Sequence, residues 1–136
     1  MSIRLQDDRR CFACGPDNPT GLQLRFDYGD AWARAIFVAD KRFAGWTTIM
    51  HGGVMATLLD EAMAHAAIAA GIRAVTARLE VRFRKAAPVD APLVLEGRLE
   101  GRRGRLLTLS ATVTGEDGTV YAEGSGRFVT DDGRSA

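Results

Sequence analysis

The chain has 136 residues, of which 46% are hydrophobic and 26% charged, and its 18 lysines and arginines against 17 acids leave a net charge of +1. That length suits one domain with one core, 1–136, and the balanced charge excludes a global field directed at nucleic acid or an anionic membrane. No run of about 20 apolar residues is present to span a bilayer and Met1 to Arg10 carry no apolar leader segment, so a cytoplasmic protein with reduced thiols is expected.

Residues 1–21 read as irregular, with Pro16-Asp17-Asn18-Pro19 as the clearest turn signal. Cys11-Phe12-Ala13-Cys14-Gly15 is a C-x-x-C. One such pair is half a zinc site, no second pair exists, and His51 and His65 lack the spacing of a finger. The expectation is therefore no metal, and two half-buried thiols in a folded loop. Leu22, Leu24 and Phe26 alternate with polar residues, predicting a strand over 22–28. Gly29-Asp30 turns the chain into a second strand, Ala31 to Val38, with Ala31, Ala33, Ala35 and Phe37 on one face. Residues 39–50 form a connection.

The stretch from His51 to Gly71 is the only long helical pattern. From Val54 to Ala70 there is neither Pro nor Gly, and Ala, Leu and Met dominate. Gly71 reads as the residue just past the end. A helix apolar nearly all round is usually buried, yet Asp60 and Glu61 sit in its middle. Asp60 lies on the Gly53, Ala56, Thr57 and Ala64 side. The two glycines at its start have two readings. Backbone N–H groups of a first turn lack intrahelical partners, and without Cβ atoms Gly52 and Gly53 would let a substrate oxygen approach them, as in an oxyanion hole. Alternatively, the glycines merely admit the helix to a tight space.

After the helix, Val75 to Lys85 alternates, with Leu79, Val81 and Phe83 on one side and Arg78, Glu80, Arg82 and Arg84 on the other. Residues 86–92 form a loop. Leu93, Leu95, Gly97 and Leu99 begin a fourth strand. Arg102-Arg103-Gly104 turns into a fifth, with Leu107, Leu109, Ala111 and Val113 aligned. After Glu116-Asp117-Gly118 a last strand carries Val120, Ala122, Gly124, Gly126 and Phe128 on one face, its glycines permitting close packing under a helix. Residues 131–136 read as a flexible tail. The order β-β-α-β-β-β-β indicates an α+β fold in which a curled antiparallel sheet of five to six strands wraps around one long helix. Trp32, Ile36, Leu106 and Tyr121 on the outer face mark a contact between subunits.

His51-Gly52-Gly53, Asp60 nine positions after the histidine, the small residues through Ala70, and Thr76 before the Leu79-x-Val81-x-Phe83 strand together resemble the hot-dog-fold thioesterases, in particular the PaaI-like acyl-CoA thioesterase group. The opening Cys11-x-x-Cys14-Gly15-x-x-Asn18-x-x-Gly21-Leu22 is similar to one branch of that group. The resemblance runs from about residue 11 to 130. It implies a hot-dog fold, hydrolysis of an acyl-CoA thioester, and no cofactor beyond the coenzyme A of the substrate. It implies that Asp60 activates water or attacks the thioester itself, that the amides of Gly52 and Gly53 hold the oxyanion, and that Thr76 positions the attacking group. Several relatives carry Asn or Gln six residues before the histidine. Here that position is Gly45, which removes a side-chain donor near the carbonyl.

Helix geometry bears on assembly. Gly52 and Asp60 are eight residues apart, so their backbones are about 12 Å apart at about 1.5 Å rise per residue. A reacting carbonyl should lie about 3 Å from both groups. Two antiparallel helices across a two-fold axis meet that requirement, predicting a homodimer, or a dimer of dimers, with sites made from two chains. His51 is expected to orient substrate or the glycine turn, His65 to make a polar contact on the helix, and Glu61 to pair with an arginine such as Arg78 or Arg82. Gly45, Met50, Arg82, Arg84 and Arg103 are expected near the substrate, the arginines because guanidinium binds the phosphates of coenzyme A. The alternatives to a thioesterase are a hydratase or dehydratase acting on enoyl- or hydroxyacyl-thioesters, and a non-catalytic acyl-CoA-binding module.

Overall fold

The computed structural model describes residues 4–131. In chain order the elements are β1 (Asp27–Tyr28), β2 (Trp32–Val38), a 3-10 turn (Lys41–Phe43), β3 (Ala44–Trp46), β4 (Ile49–Met50), α1 (Gly52–Ala69), β5 (Ala74–Phe83), β6 (Pro92–Arg103), β7 (Leu106–Gly115) and β8 (Val120–Thr130). Six strands form one antiparallel sheet in the order β1-β2-β6-β7-β8-β5, and β3 with β4 make a separate small hairpin. This is the α+β hot-dog architecture that the element order and the resemblance predict.

Side-chain alternation explains why the sheet takes this register. Leu107, Leu109, Ala111 and Val113 all point inward and are buried, as are Leu93, Leu95, Ala33, Ala35 and Phe37 on the neighbouring strands. A slip of one residue would turn the whole set to solvent. Against this face α1 buries Met55, Leu58, Leu59, Ala62, Met63, Ala66 and Ala67, each larger side chain stabilising by about 1.5–3 kcal/mol. Glycines let the helix sink into the sheet. A Cβ on Gly97 of β6 would lie 2.0 Å from the Ala62 carbonyl oxygen, and one on Gly126 of β8 would lie 3.0 Å from the Met63 sulfur. The expectation that the β8 glycines serve helix packing is met, and Gly97 does so more severely.

The helix ends are built as their residues dictate. At the C-terminus, Gly71 is left-handed (φ +79°), its N–H donates to Ile68 O at 2.8 Å, and the Ile72 N–H donates to Ala67 O at 2.9 Å. That paired arrangement closes the last turn. At the N-terminus the helix begins at Gly52, as the two glycines at the start of the stretch imply, and His51 caps it: the imidazole Nδ1 accepts the Gly53 N–H at 2.8 Å.

Three expectations need correction. The strand predicted over 22–28 reduces to Asp27–Tyr28. Leu22 and Leu24 are buried as the alternation implies, but their N–H groups donate to Phe12 O and Ala13 O at 3.0 and 2.9 Å, so the N-terminal loop takes the bonds a sheet neighbour would. Ala31 is left-handed (φ 59°) and belongs to the turn before β2. The connection 39–50 carries the 3-10 turn and the β3–β4 hairpin. Of the predicted tail, Asp131 continues from β8 with its N–H donating to Arg73 O at 3.0 Å; 132–136 lie outside the described residues. On the outer face, Ile36 is 65% exposed, while Trp32, Leu106 and Tyr121 are half-buried. No helix among the described residues is long and apolar enough to cross a membrane.

Candidate active site

The helix carries Asp60 toward the start of β5, where the pairing with β8 shifts register between Thr76 and Arg78. Such a bulge re-aims side chains beside it. The Thr76 hydroxyl donates to Asp60 Oδ1 at 2.6 Å, a short, charge-assisted bond when the carboxyl is ionised. Asp60 is half-buried. Burial pushes its carboxyl above the ordinary value, the bond from Thr76 pulls it back, and the neighbouring Glu61 raises it further. The net direction is upward, toward a carboxylate that takes a proton more readily than a solvated one. The resemblance implies that these two residues work together, and the structure brings them into contact.

At the other end of this stretch, the first-turn amides are not equivalent. Gly53 N–H is taken by His51 Nδ1, and the Val54 and Met55 N–H groups both go to His51 O, at 3.0 and 3.1 Å. Gly52 N–H has no acceptor among the described residues. Of the two glycines expected to supply oxyanion donors, only Gly52 therefore presents a free one in this protomer. A Cβ there would meet only the Phe83 ring, at 3.6 Å, while a Cβ on Gly53 would press on the capping imidazole at 3.0 Å. Gly45 lies against the same cap: a Cβ there would be 3.2 Å from His51 Cα. The small residue lets the β3–β4 hairpin close on the helix start, where the His51 N–H donates to Phe43 O at 2.8 Å.

The other expected substrate contacts separate. Met50 is a core side chain, 4% exposed, on the short strand that leads into α1. Arg84 is engaged with Glu123 at 3.0 Å. Arg82 stands opposite Glu123 on β8, whereas Arg103 stands in the row of Leu106, Val129 and Val75. The rows of Arg82 and Arg103 thus lie six residues apart along β8, about 20 Å, and within one protomer the two cannot hold the same phosphate. Glu61 does not pair with Arg78 or Arg82. Its Oε2 is 3.4 Å from His65 Nε2, one turn further on, and its Oε1 accepts from the Cys11 thiol at 3.9 Å. His65 stacks on Phe26 and meets the Tyr28 hydroxyl through Nδ1 at 2.8 Å. Burial raises the Cys14 thiol and the Tyr28 hydroxyl above their ordinary values, with Glu61 adding to both and Cys14 to Tyr28. The i,i+4 spacing of Glu61 and His65 is readable from the sequence; the arrival of Cys11, Cys14 and Tyr28 beside them is not.

The family model described as Thioesterase superfamily matches residues 47–122, a span that includes His51, Asp60 and Thr76. The acyl-coenzyme A thioesterase THEM4 of Bos taurus is 32% identical over 95 residues, covering 69% of this chain and 39% of its own. The chain thus spans about two fifths of that curated relative. Among solved structures, the thioesterase superfamily protein RHA08564 is similar with a TM-score of 0.84 at 30% identity, over 89% of this chain and 60% of that one. A hypothetical thioesterase protein from Streptococcus pneumoniae TIGR4, solved with coenzyme A, has a TM-score of 0.77 at 18% identity, over 82% and 88% of the two chains. At that identity the likeness is one of fold.

Proposed function

The chain belongs to the thioesterase superfamily, and on that premise we propose that it hydrolyses the thioester of an acyl-coenzyme A at a site completed by a second copy of itself. The observation that carries this reading is the Thr76–Asp60 hydrogen bond, which holds a half-buried carboxylate at the sheet edge with its second oxygen left for chemistry. The name of the bovine relative and the coenzyme A in the streptococcal structure support the substrate class.

Two routes use the same groups. As a base, Asp60 takes a proton from water while the water oxygen attacks the thioester carbon. As a nucleophile, Asp60 attacks that carbon itself, and water then cleaves the resulting anhydride. In both, negative charge collects on the carbonyl oxygen, where the Gly52 N–H and the positive end of α1 stabilise it. The C–S bond then breaks, coenzyme A leaves as a thiol after taking up a proton, and the acyl group leaves as a carboxylate. His51 Nδ1 already accepts the Gly53 N–H, which ties it to capping and supports Asp60 as the group that acts in either route. Free-thiol release measured over short, long and aromatic acyl-CoAs tests the proposal. Hydration of an enoyl-CoA without thiol release, or tight binding without turnover, overturns it.

The need for a second copy follows from the roughly 12 Å between Gly52 and Asp60 along one helix. The β5 edge supports it. This ten-residue strand has a sheet neighbour on one side only, and an uncovered edge of that length is a liability that proteins close. Phe83 on this edge and Trp46 near the helix start are 57% and 80% exposed. Mixing Gly52→Pro and Asp60→Asn chains under conditions of proven subunit exchange should restore about a quarter of wild-type activity, since half the dimers are mixed and each mixed dimer has one intact site. No recovery places both groups in one protomer.

The direction of the Asp60 shift sets the pH profile. Activity requires the ionised carboxylate, so kcat/KM should fall as pH drops through a pKa above the ordinary aspartate value of about 3.9. Thr76→Val removes the bond that favours ionisation and should move that acid limb to higher pH. An acid limb unchanged by Thr76→Val would detach it from Asp60.

A further inference from the structure

We propose that Cys11, Cys14 and Glu61 form a binding site for one thiophilic divalent cation, Zn2+ in the first instance, that fastens the N-terminal loop to the central helix. The two Sγ atoms and a Glu61 carboxylate oxygen lie within 4.8 Å of one another, and Cys11 Sγ is 3.9 Å from Glu61 Oε1. In a tetrahedral zinc site, Zn–S near 2.3 Å and Zn–O near 2.1 Å give S···S and S···O edges of about 3.8 and 3.6 Å. The side chains need to close by at most about 1.2 Å to reach that geometry.

Three further features match what such a site requires. The N–H groups of Ala13 and Cys14 point at Cys11 Sγ, at 3.4 and 3.5 Å. They fix the direction of that sulfur while leaving its other lone pairs turned to Glu61. Glu61 is a carboxylate whose side chain is only 15% exposed, and among the described residues no lysine or arginine forms an ion pair with it. A buried carboxylate ordinarily has a cation beside it. Its other oxygen faces His65 Nε2, and His65 is held in turn by Tyr28 and Phe26, the kind of outer support that orients metal ligands. A cavity of about 600 Å3 opens beside the cluster, bordered by Tyr28, Ala64 and Arg73, with room for water as the fourth ligand. The sequence leads to an expectation of no metal because it offers no second cysteine pair. The third ligand comes instead from the helix.

The test uses the full reduced chain, stripped with a chelator and titrated with Zn2+ alone or Co2+ alone. The proposal expects one equivalent per chain and a thiolate-to-cobalt charge-transfer band. Cys11→Ser or Cys14→Ser alone should weaken Zn2+ binding by more than the roughly 10-fold lost with an outer-shell partner and cut that band to about half, and the double variant should abolish it. Glu61→Gln should weaken Zn2+ binding by about 10–100-fold with the band retained, and Tyr28→Phe, which acts only through His65, by less than that. Binding without a thiolate band, or affinity unaltered by Cys14→Ser, overturns the assignment. Thiol counting on the unmutated chain decides the matter should the serine variants not fold. The overall rate of thiol labelling by a disulfide reagent should fall when one equivalent of Zn2+ is added to the metal-free chain; an unchanged rate is the contrary result. None of these readouts depends on thioester hydrolysis.

Discussion

Replacing Asp60 by Asn should lower kcat for acyl-CoA hydrolysis by about 10²–10⁴-fold, the range for loss of a positioned acid–base group, with KM little changed. The amide nearly preserves the shape of the carboxyl, and its oxygen still accepts the Thr76 hydroxyl, so the local hydrogen bond survives. What is lost is the capacity to take a proton or to attack. The same variant should be more heat-stable than the parent at neutral pH. Because Asp60 has a raised pKa in the folded chain, the folded state holds its proton more tightly than the unfolded state does. The stability this confers is fully present below the unfolded pKa and is lost as pH rises through the folded one. A neutral amide at this position carries no such loss, so the advantage of Asp60→Asn in Tm should be largest near pH 7 and shrink as the solution is acidified. Retained kcat would remove Asp60 from the chemistry. A Tm below that of the parent at pH 7 would show that the carboxylate stabilises the fold instead of straining it.

The second large effect is expected at Gly52, where two substitutions separate the amide from the space around it. Proline at the first helical position deletes the N–H and is otherwise tolerated there. His51 already has the extended backbone (φ −60°, ψ 134°) that a following proline demands. A Cβ at Gly52 meets nothing closer than the Phe83 ring at 3.6 Å. Gly52→Pro should therefore fold, keep its cap, and lose about 10²–10³-fold in kcat, the usual consequence of removing one oxyanion donor. Gly52→Ala keeps the N–H and should stay within a few-fold of the parent. Equal losses in the two variants would mean that room, and not the amide, is what the glycine provides.

Much of this arrangement is legible in the residues because it is written in local patterns. The alternation over Leu107 to Val113 fixes the inward face of β7, and the Ala-rich run with Gly71 behind it defines α1 and its end. His51, Asp60 and Thr76 stand at spacings that follow from one helix and the strand after it. What stays hidden depends on partners distant in sequence. Residues 22–28 alternate as a strand does, yet the backbone bonds of Leu22 and Leu24 go to Phe12 and Ala13, and no periodicity within the segment encodes that choice. Gly52 and Gly53 look interchangeable until the His51 imidazole is seen to occupy one amide. Charge alone suggests an arginine partner for Glu61, but the cysteine loop covers its side of the helix. The positions of Arg82 and Arg103 at opposite ends of the sheet emerge only from the register of three strand pairs.

Gly97 has one more consequence. The Ala62 carbonyl, two residues beyond Asp60, rests directly on the β6 backbone because position 97 bears no methyl group. The elevation of the reactive carboxylate above the sheet is thus gauged from beneath by an absent atom, on a strand that contributes no side chain to the chemistry. Any added bulk at that seat would lift the floor under Asp60 while Thr76, anchored through β5 and β8, stayed where it is.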